Sequence, residues 1–252
     1  MRLPVTAPPK HHHFAPLQRR WMDELLGEEP PPETSATCDN CAMLPKPGEA
    51  RLPTHYNART KCCTYLPMLH NFLLGKILAD ESAEFKKGKA TVVKRLEDGD
   101  GLTPLGLYAP AEYLERYDPG VKFGHDLTLR CPHYLEEEGG LCGVWLHRES
   151  TCSTWFCKHS TGDLGRDFWR EGVGPLLRTT ELSLASWAAV QLDAGPSDWG
   201  PWQGKPRQLF AECSKLVEPL TWTQIEEICG DEVKAAARRT KALLVRLQAL
   251  PT

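Results

Sequence analysis

Ten cysteines constrain this chain more than any other feature. They are unevenly placed: Cys38-x2-Cys41, then Cys62-Cys63, then Cys131, Cys142, Cys152 and Cys157, with Cys213 and Cys229 apart. A CxxC loop aims two thiolates at one metal while backbone N–H groups face the sulfurs. Partners from elsewhere complete a tetrathiolate. The eight clustered cysteines are therefore the expected metal ligands: Cys38, Cys41, Cys62, Cys63, Cys131, Cys142, Cys152 and Cys157. The expected cofactor is an iron–sulfur cluster of the 4Fe–4S type, with zinc as the alternative. Adjacent side chains diverge most in extended chain. So either one of Cys62 and Cys63 ligates while the other packs, or the two serve different metals.

Trp145, Trp155, Phe156 and Tyr65 sit among these cysteines. They suit the dry shell of a cluster and equally suit ordinary core packing. His125, His133, His147 and His159 lie near the second cysteine region. Mixed Cys/His ligation is open to them, but surface or hydrogen-bonded roles fit better. Cys213 falls on a helical stripe with Phe210 and Val217, and Cys229 on one with Ile225 and Ile228. Both read as buried thiols.

The N-terminal stretch, with Pro8-Pro9-Lys10 and His11-His12-His13, holds no apolar signal core. A cytoplasmic protein is expected, where structural disulfides are disfavoured. A chain of 252 residues with 41% hydrophobic content can bury a core without them. The apolar run Tyr65–Leu78 falls short of the roughly 20 residues that span a bilayer, so no membrane is expected. A net charge of −3 argues against a nucleic-acid partner. Another protein is an open partner: Trp199 and Trp202 in the 193–206 loop suit such an interface, although half-buried loop aromatics are the commoner case. No HExxH and no nucleophile elbow occurs, and no Gly-rich strand–turn–helix signal for a nucleotide. Hence no catalytic or nucleotide-binding residue is assigned, and enzymatic activity stays open.

The expected fold is mainly α, with an irregular cysteine-rich metal-binding lobe and a few short strands. Three regions are read: 1–35 with one amphipathic helix and a Pro-rich linker, 36–160 as the cysteine lobe, and 161–252 as helices packed on it. The first helix runs from Phe14 to Leu26 and ends at Gly27. Tyr65–Leu78 predicts one central buried helix, capped by Thr64. Thr91–Val93 and Leu105–Tyr108 suggest short strands, and Pro110–Tyr117 a short helix. Asp167–Leu192 reads as helical with a break near Gly172–Pro175. Helices follow over Pro206–Val217, Thr223–Cys229 and Asp231–Leu250, with Thr223 and Glu226 as a capping box.

Cys131-Pro132, Gly140-Leu141-Cys142-Gly143-Val144-Trp145, Arg148 and Cys152 resemble the ending of the YkgJ-like cysteine-cluster family, a zinc- or iron-chelating domain. That family opens with CxxCxxCC. Here Cys38 and Cys41 resemble the opening pair, and Cys62-Cys63 the closing double cysteine. Twenty residues, Ala42 to Lys61, stand where the family has two, and Glu149 replaces a proline. The likeness covers about residues 36–158 and leaves out the helical tail. It implies a bound iron–sulfur cluster or zinc. The family includes flagellin lysine N-methylases, so it also implies, as an alternative, S-adenosylmethionine-dependent methylation of protein lysines.

Overall fold

A computed structural model describes residues 14–30, 33, 38 and 41–249. The segment 1–13 with its histidines, most of the linker after Pro30, and the last three residues lie outside the described residues. The fold is mainly α with two small sheets.

Helix α1 (Pro16–Leu26) forms where the apolar steps place it and buries Leu17, Trp21, Met22 and Leu25. Gly27 ends it at φ +71°, a conformation that disfavours a side chain.

The expected helix from Tyr65 is shorter than its apolar run. Pro67 biases Leu66 toward extended backbone, and Leu69–His70 forms strand β1 instead. The strands β2 (Leu102–Thr103) and β3 (Gly106–Leu107) complete an antiparallel sheet of order β1-β3-β2. Thr64 is not a cap; its hydroxyl accepts from the Gly124 N–H at 2.7 Å. Helix α2 (Asn71–Ala79) begins after β1 and is buried nearly all round.

Residues Thr91–Val93 are helical, not a strand. They lie in α3 (Lys86–Asp98), where Gly88, Val92, Arg95 and Leu96 make one buried stripe at helical spacing. The short helix α4 (Ala111–Arg116) stands where expected. The second cysteine region holds a hairpin of β4 (Tyr134–Leu135) and β5 (Leu141–Cys142), then α5 (Ser150–Thr154).

The expected break at Gly172–Pro175 is a widened turn. α6 (Gly162–Asp167) continues through a π-helical stretch, Phe168–Val173, into α7 (Gly174–Gln191). Gly174 N–H reaches back five residues to Trp169 O, just ahead of Pro175, which has no N–H to give.

α8 (Pro206–Val217) matches its expected bounds. α2 crosses it closely at Gly75, where a Cβ would sit 2.1 Å from the Phe210 carbonyl oxygen. The last two expected helices are joined as α9 (Trp222–Gln248), bent at Gly230 with φ +75°. Its cap is Thr221 with Gln224, not Thr223 with Glu226.

One contiguous core runs from Leu17 to Leu247 and takes in Phe72, Phe168 and Phe210. Cys213 is fully buried in it, and Cys229 packs on it half-buried. Trp199 and Trp202 are not a free surface. Both are half-buried against this core, and the Trp202 indole N–H donates to Leu192 O at 2.7 Å. Among the described residues no helix is long and apolar enough to cross a membrane.

Candidate metal centre

The two cysteine regions are tied together by backbone. Cys131 N–H donates to Cys63 O at 2.7 Å, and Tyr134 N–H to Cys131 O at 3.0 Å. Tyr134 pairs with Cys142 across the β4–β5 hairpin. Cys142 is thereby placed relative to Cys131, and Cys131 relative to Cys63.

Cys62 and Cys63 do not diverge. They occupy a turn, not extended chain, and Lys61 enters it at φ +51°. Their thiols hydrogen-bond to each other, which raises the Cys62 thiol.

Helix α3 seats directly on the turn after Cys142. A Cβ at Gly88 would fall 1.7 Å from the Gly143 carbonyl oxygen. Cys152 rides on α5, whose N-terminus is capped by Glu149. That carboxylate accepts from Thr151 N–H at 2.6 Å and Cys152 N–H at 2.9 Å. Glu149 thus has a structural use at the position where the resembled family has proline.

A second buried carboxyl, Glu181 of α7, supports the same helix. It accepts from Ser150 N–H at 2.9 Å and from Gln18 Nε2 at 2.6 Å. Burial, then the nearby Glu149, raises Glu181 to about 8. Burial likewise raises Glu149, against the pull of its hydrogen bonds.

The eight thiols feel one another as a connected set. Cys38 is raised to about 12 by burial and then by Cys62, with Cys41 also contributing. Cys131 and Cys142 are each raised to about 12, chiefly by burial; Cys142 and Cys62 add to the first, Cys38 and Cys62 to the second. Cys63 accepts from Cys62, which lowers it, yet burial with Cys131, Cys142 and Cys38 brings it up to about 11. Cys152 is pushed well up by burial, Glu149, Cys142 and Cys131. Cys157 stands near 11 through burial and Cys62. Cys62 is the hub of this set, with Cys152 at one edge and Cys157 at the other.

Three buried cations border the thiols. Lys61 is 7% exposed, and its ammonium donates to Cys38 O at 2.7 Å, Gly140 O at 2.8 Å and Gly139 O at 3.2 Å. Arg148 is 5% exposed, lies 3.5 Å over the Trp145 ring, and lowers Cys38, Cys142 and Cys152. Arg95 of α3 lowers Cys131 and donates to Tyr108 O at 2.9 Å.

The histidines have other work. His133 Nδ1 meets Thr91 Oγ1 at 2.7 Å, and burial followed by Arg95 lowers it to about 3. His147 meets Asp80 at 2.9 Å, and His159 lies 3.6 Å from Glu33. His125 packs edge-on to Tyr56.

Among the described residues no three His, Cys, Asp or Glu side chains meet in a geometry that could hold a metal ion. The thiols are gathered without being set as a coordination sphere. The donor chemistry still fits a thiophilic centre: soft sulfur ligands, burial, and cations that offset thiolate charge.

Sequence reasoning missed Lys61, Gly88, Arg95 and Glu181. Only Lys61 carried a local signal, standing directly before the double cysteine. No family model, curated protein or solved structure matches this chain. The YkgJ-like resemblance rests on cysteine order and local context.

Proposed function

We propose that this is an iron–sulfur protein whose centre is held by Cys38, Cys41, Cys62, Cys63, Cys131, Cys142, Cys152 and Cys157. The supporting observation is the connected set of thiols bordered by Lys61, Arg148 and Arg95. A buried cation needs a counter-charge. Among the described residues the Lys61 ammonium has only carbonyl acceptors. Ligated thiolates supply the counter-charge. Neutral thiols, raised as these are, do not.

Four cysteines bind one 4Fe–4S cluster, so eight suffice for two. Cys62 and Cys63 lie at the join. Cys157 has Cys62 and Cys41 as neighbours, and Cys152 has Cys142 and Cys131. We read Cys38, Cys41, Cys62 and Cys157 as one set, and Cys63, Cys131, Cys142 and Cys152 as the other. When bound, the clusters supply one-electron chemistry. The chain balances their charge with Lys61, Arg148 and Arg95 and ties together segments remote in sequence. The lysine N-methylase alternative rests on the resemblance alone.

The test is anaerobic purification with iron, acid-labile sulfide and zinc measured on one sample. About eight iron and eight sulfide per chain supports two clusters, and about four of each supports one. Zinc without iron makes the centre a structural thiolate site and overturns the iron–sulfur reading. A protein free of both metals overturns the metal centre altogether.

A further inference from the structure

Helix α9 carries an uneven charge after its bend at Gly230. From residue 233 to the end of the chain the only charged side chains are Lys234, Arg238, Arg239, Lys241 and Arg246. The other 25 of the 30 Lys and Arg share the chain with all 33 Asp and Glu, so a basic surface stands on an otherwise acidic protein. Among the described residues none of the five forms an ion pair. Asp167 and Glu171 line a cleft with Arg239 and Arg246, yet Asp167 pairs with Arg166 at 3.4 Å and Glu171 closes on neither arginine. Like charges three or four residues apart on a helix repel, and Lys234, Arg238 and Lys241 stand at those steps. Within the fold alone the pattern is unfavourable.

The pattern also has a period. Val233, Ala236, Ala237, Thr240, Leu244 and Leu247 face the core. On the opposite side Ala235, Arg238, Ala242 and Val245 are exposed and recur at the a and d steps of a heptad. Lys234, Arg239, Lys241 and Arg246 then fall at g, e, g and e, so every position flanking the seam is basic. The alanines let a second helix approach closely, and Val245, 65% exposed, offers it an apolar contact. Arg238 can lay its aliphatic stem along the seam and keep its charge outside. Asp231 and Glu232 end the basic surface at the bend.

The face selects its occupant. A second copy seated seam to seam would set basic e and g positions against basic e and g positions. A lipid surface calls for large apolar side chains to insert, and Val245 is the largest on this face. A nucleic acid would meet a chain of net charge −3 and no aromatic ring on this face. A helix with Asp or Glu at e and g answers both basic rows. We propose that the exposed face of α9 after Gly230 docks an acidic helix of a partner protein, seated on Ala235, Ala242 and Val245 between the two basic rows. The proposal does not depend on the metal centre.

The test uses the full chain and two labelled synthetic peptides of about three heptads. Both carry Leu at a and d; one carries Glu at e and g, the other Lys. Fluorescence anisotropy is expected to show binding of the Glu peptide, weaker as salt rises, and no binding of the Lys peptide. Reversal of the exposed Arg239→Glu, Lys241→Glu and Arg246→Glu together should weaken the Glu peptide by about tenfold or more and admit the Lys peptide. Ala242→Gln changes no charge but fills the seam, so it should also weaken the Glu peptide. Should the triple reversal unfold, Ala242→Gln and the two-peptide comparison on wild type decide. No binding of the Glu peptide, equal binding of both peptides, or an Ala242→Gln protein that binds as wild type overturns the proposal. So does tighter binding of phosphatidylserine vesicles or duplex DNA than of the Glu peptide, or a wild-type dimer in sedimentation that the triple reversal dissociates.

Discussion

Gly88→Ala tests whether α3 positions Cys142. The added Cβ would stand 1.7 Å from the Gly143 carbonyl oxygen and 2.6 Å from its carbon. Ordinary contact begins near 3.4 Å, so the helix or the turn must recede by about 1.7 Å. The obstacle is backbone and cannot rotate away. Overpacking of this kind costs about 1–3 kcal/mol, while alanine gains roughly 1 kcal/mol over glycine within a helix. The expected net loss is about 0–2 kcal/mol, toward the upper end because the obstacle is backbone, read from denaturant unfolding. The larger effect falls on the thiol next door. Metal–ligand distances tolerate about 0.2 Å, and Cys142 directly precedes the displaced Gly143. Iron loading should therefore fall well below wild type. Gly75→Ala is the control. Its Cβ would meet the Phe210 carbonyl oxygen at 2.1 Å, at the α2–α8 crossing and away from the eight thiols. It should lose comparable stability and keep its iron. A Gly88→Ala protein with wild-type stability and iron would refute the reasoning, as would equal iron loss in both variants.

Three further outcomes follow from the same geometry. Lys61→Met removes an ammonium that binds three carbonyls; metal analysis should show reduced iron, and Lys61→Arg should restore less than wild-type loading because a planar fork does not match that cradle. Cys62→Ser should cost the iron of its own set, about half of a two-cluster load, while Cys229→Ser leaves the load unchanged, as counted by iron per chain. Glu181 is raised to about 8 in the fold, so its protonated form is favoured there. Its contribution is whole below the ordinary glutamate range and is lost as pH rises through about 8. Denaturation midpoints should therefore fall between about pH 4.5 and pH 8 and level off above, and Glu181→Gln should flatten that slope.

Much of the helical frame was legible because it depends on local chemistry. The apolar steps before Gly27 mark α1, and Pro206 at the first position marks α8. The run after Tyr65 misled because β1 exists only through its partner Gly106–Leu107, a pairing no local pattern announces. Thr91–Val93 carried β-branched side chains, yet the buried stripe of Gly88, Val92 and Leu96 overrides that preference. The cysteines named the candidate centre. Their charge partners did not stand out, because Arg95 and Glu181 are ordinary polar residues until tertiary packing buries them. The convergence of Cys62 and Cys63 depends on a left-handed Lys61, which sequence spacing does not encode.

The eight thiols belong to stretches made at different times. Cys38, Cys41, Cys62 and Cys63 precede Cys157 by at least 94 residues, which at ribosomal rates is about 5–20 s of synthesis. During that interval half of the set waits without the other half. The hydrogen bond from Cys131 to Cys63 O, the hairpin that carries Cys142 and the helix that carries Cys152 have yet to be made. The early cysteines are then ordinary accessible thiols, open to oxidation and to any scavenging ion. Closure of the lobe is a late event in the life of the nascent chain, and its first two segments depend on a reducing environment until then.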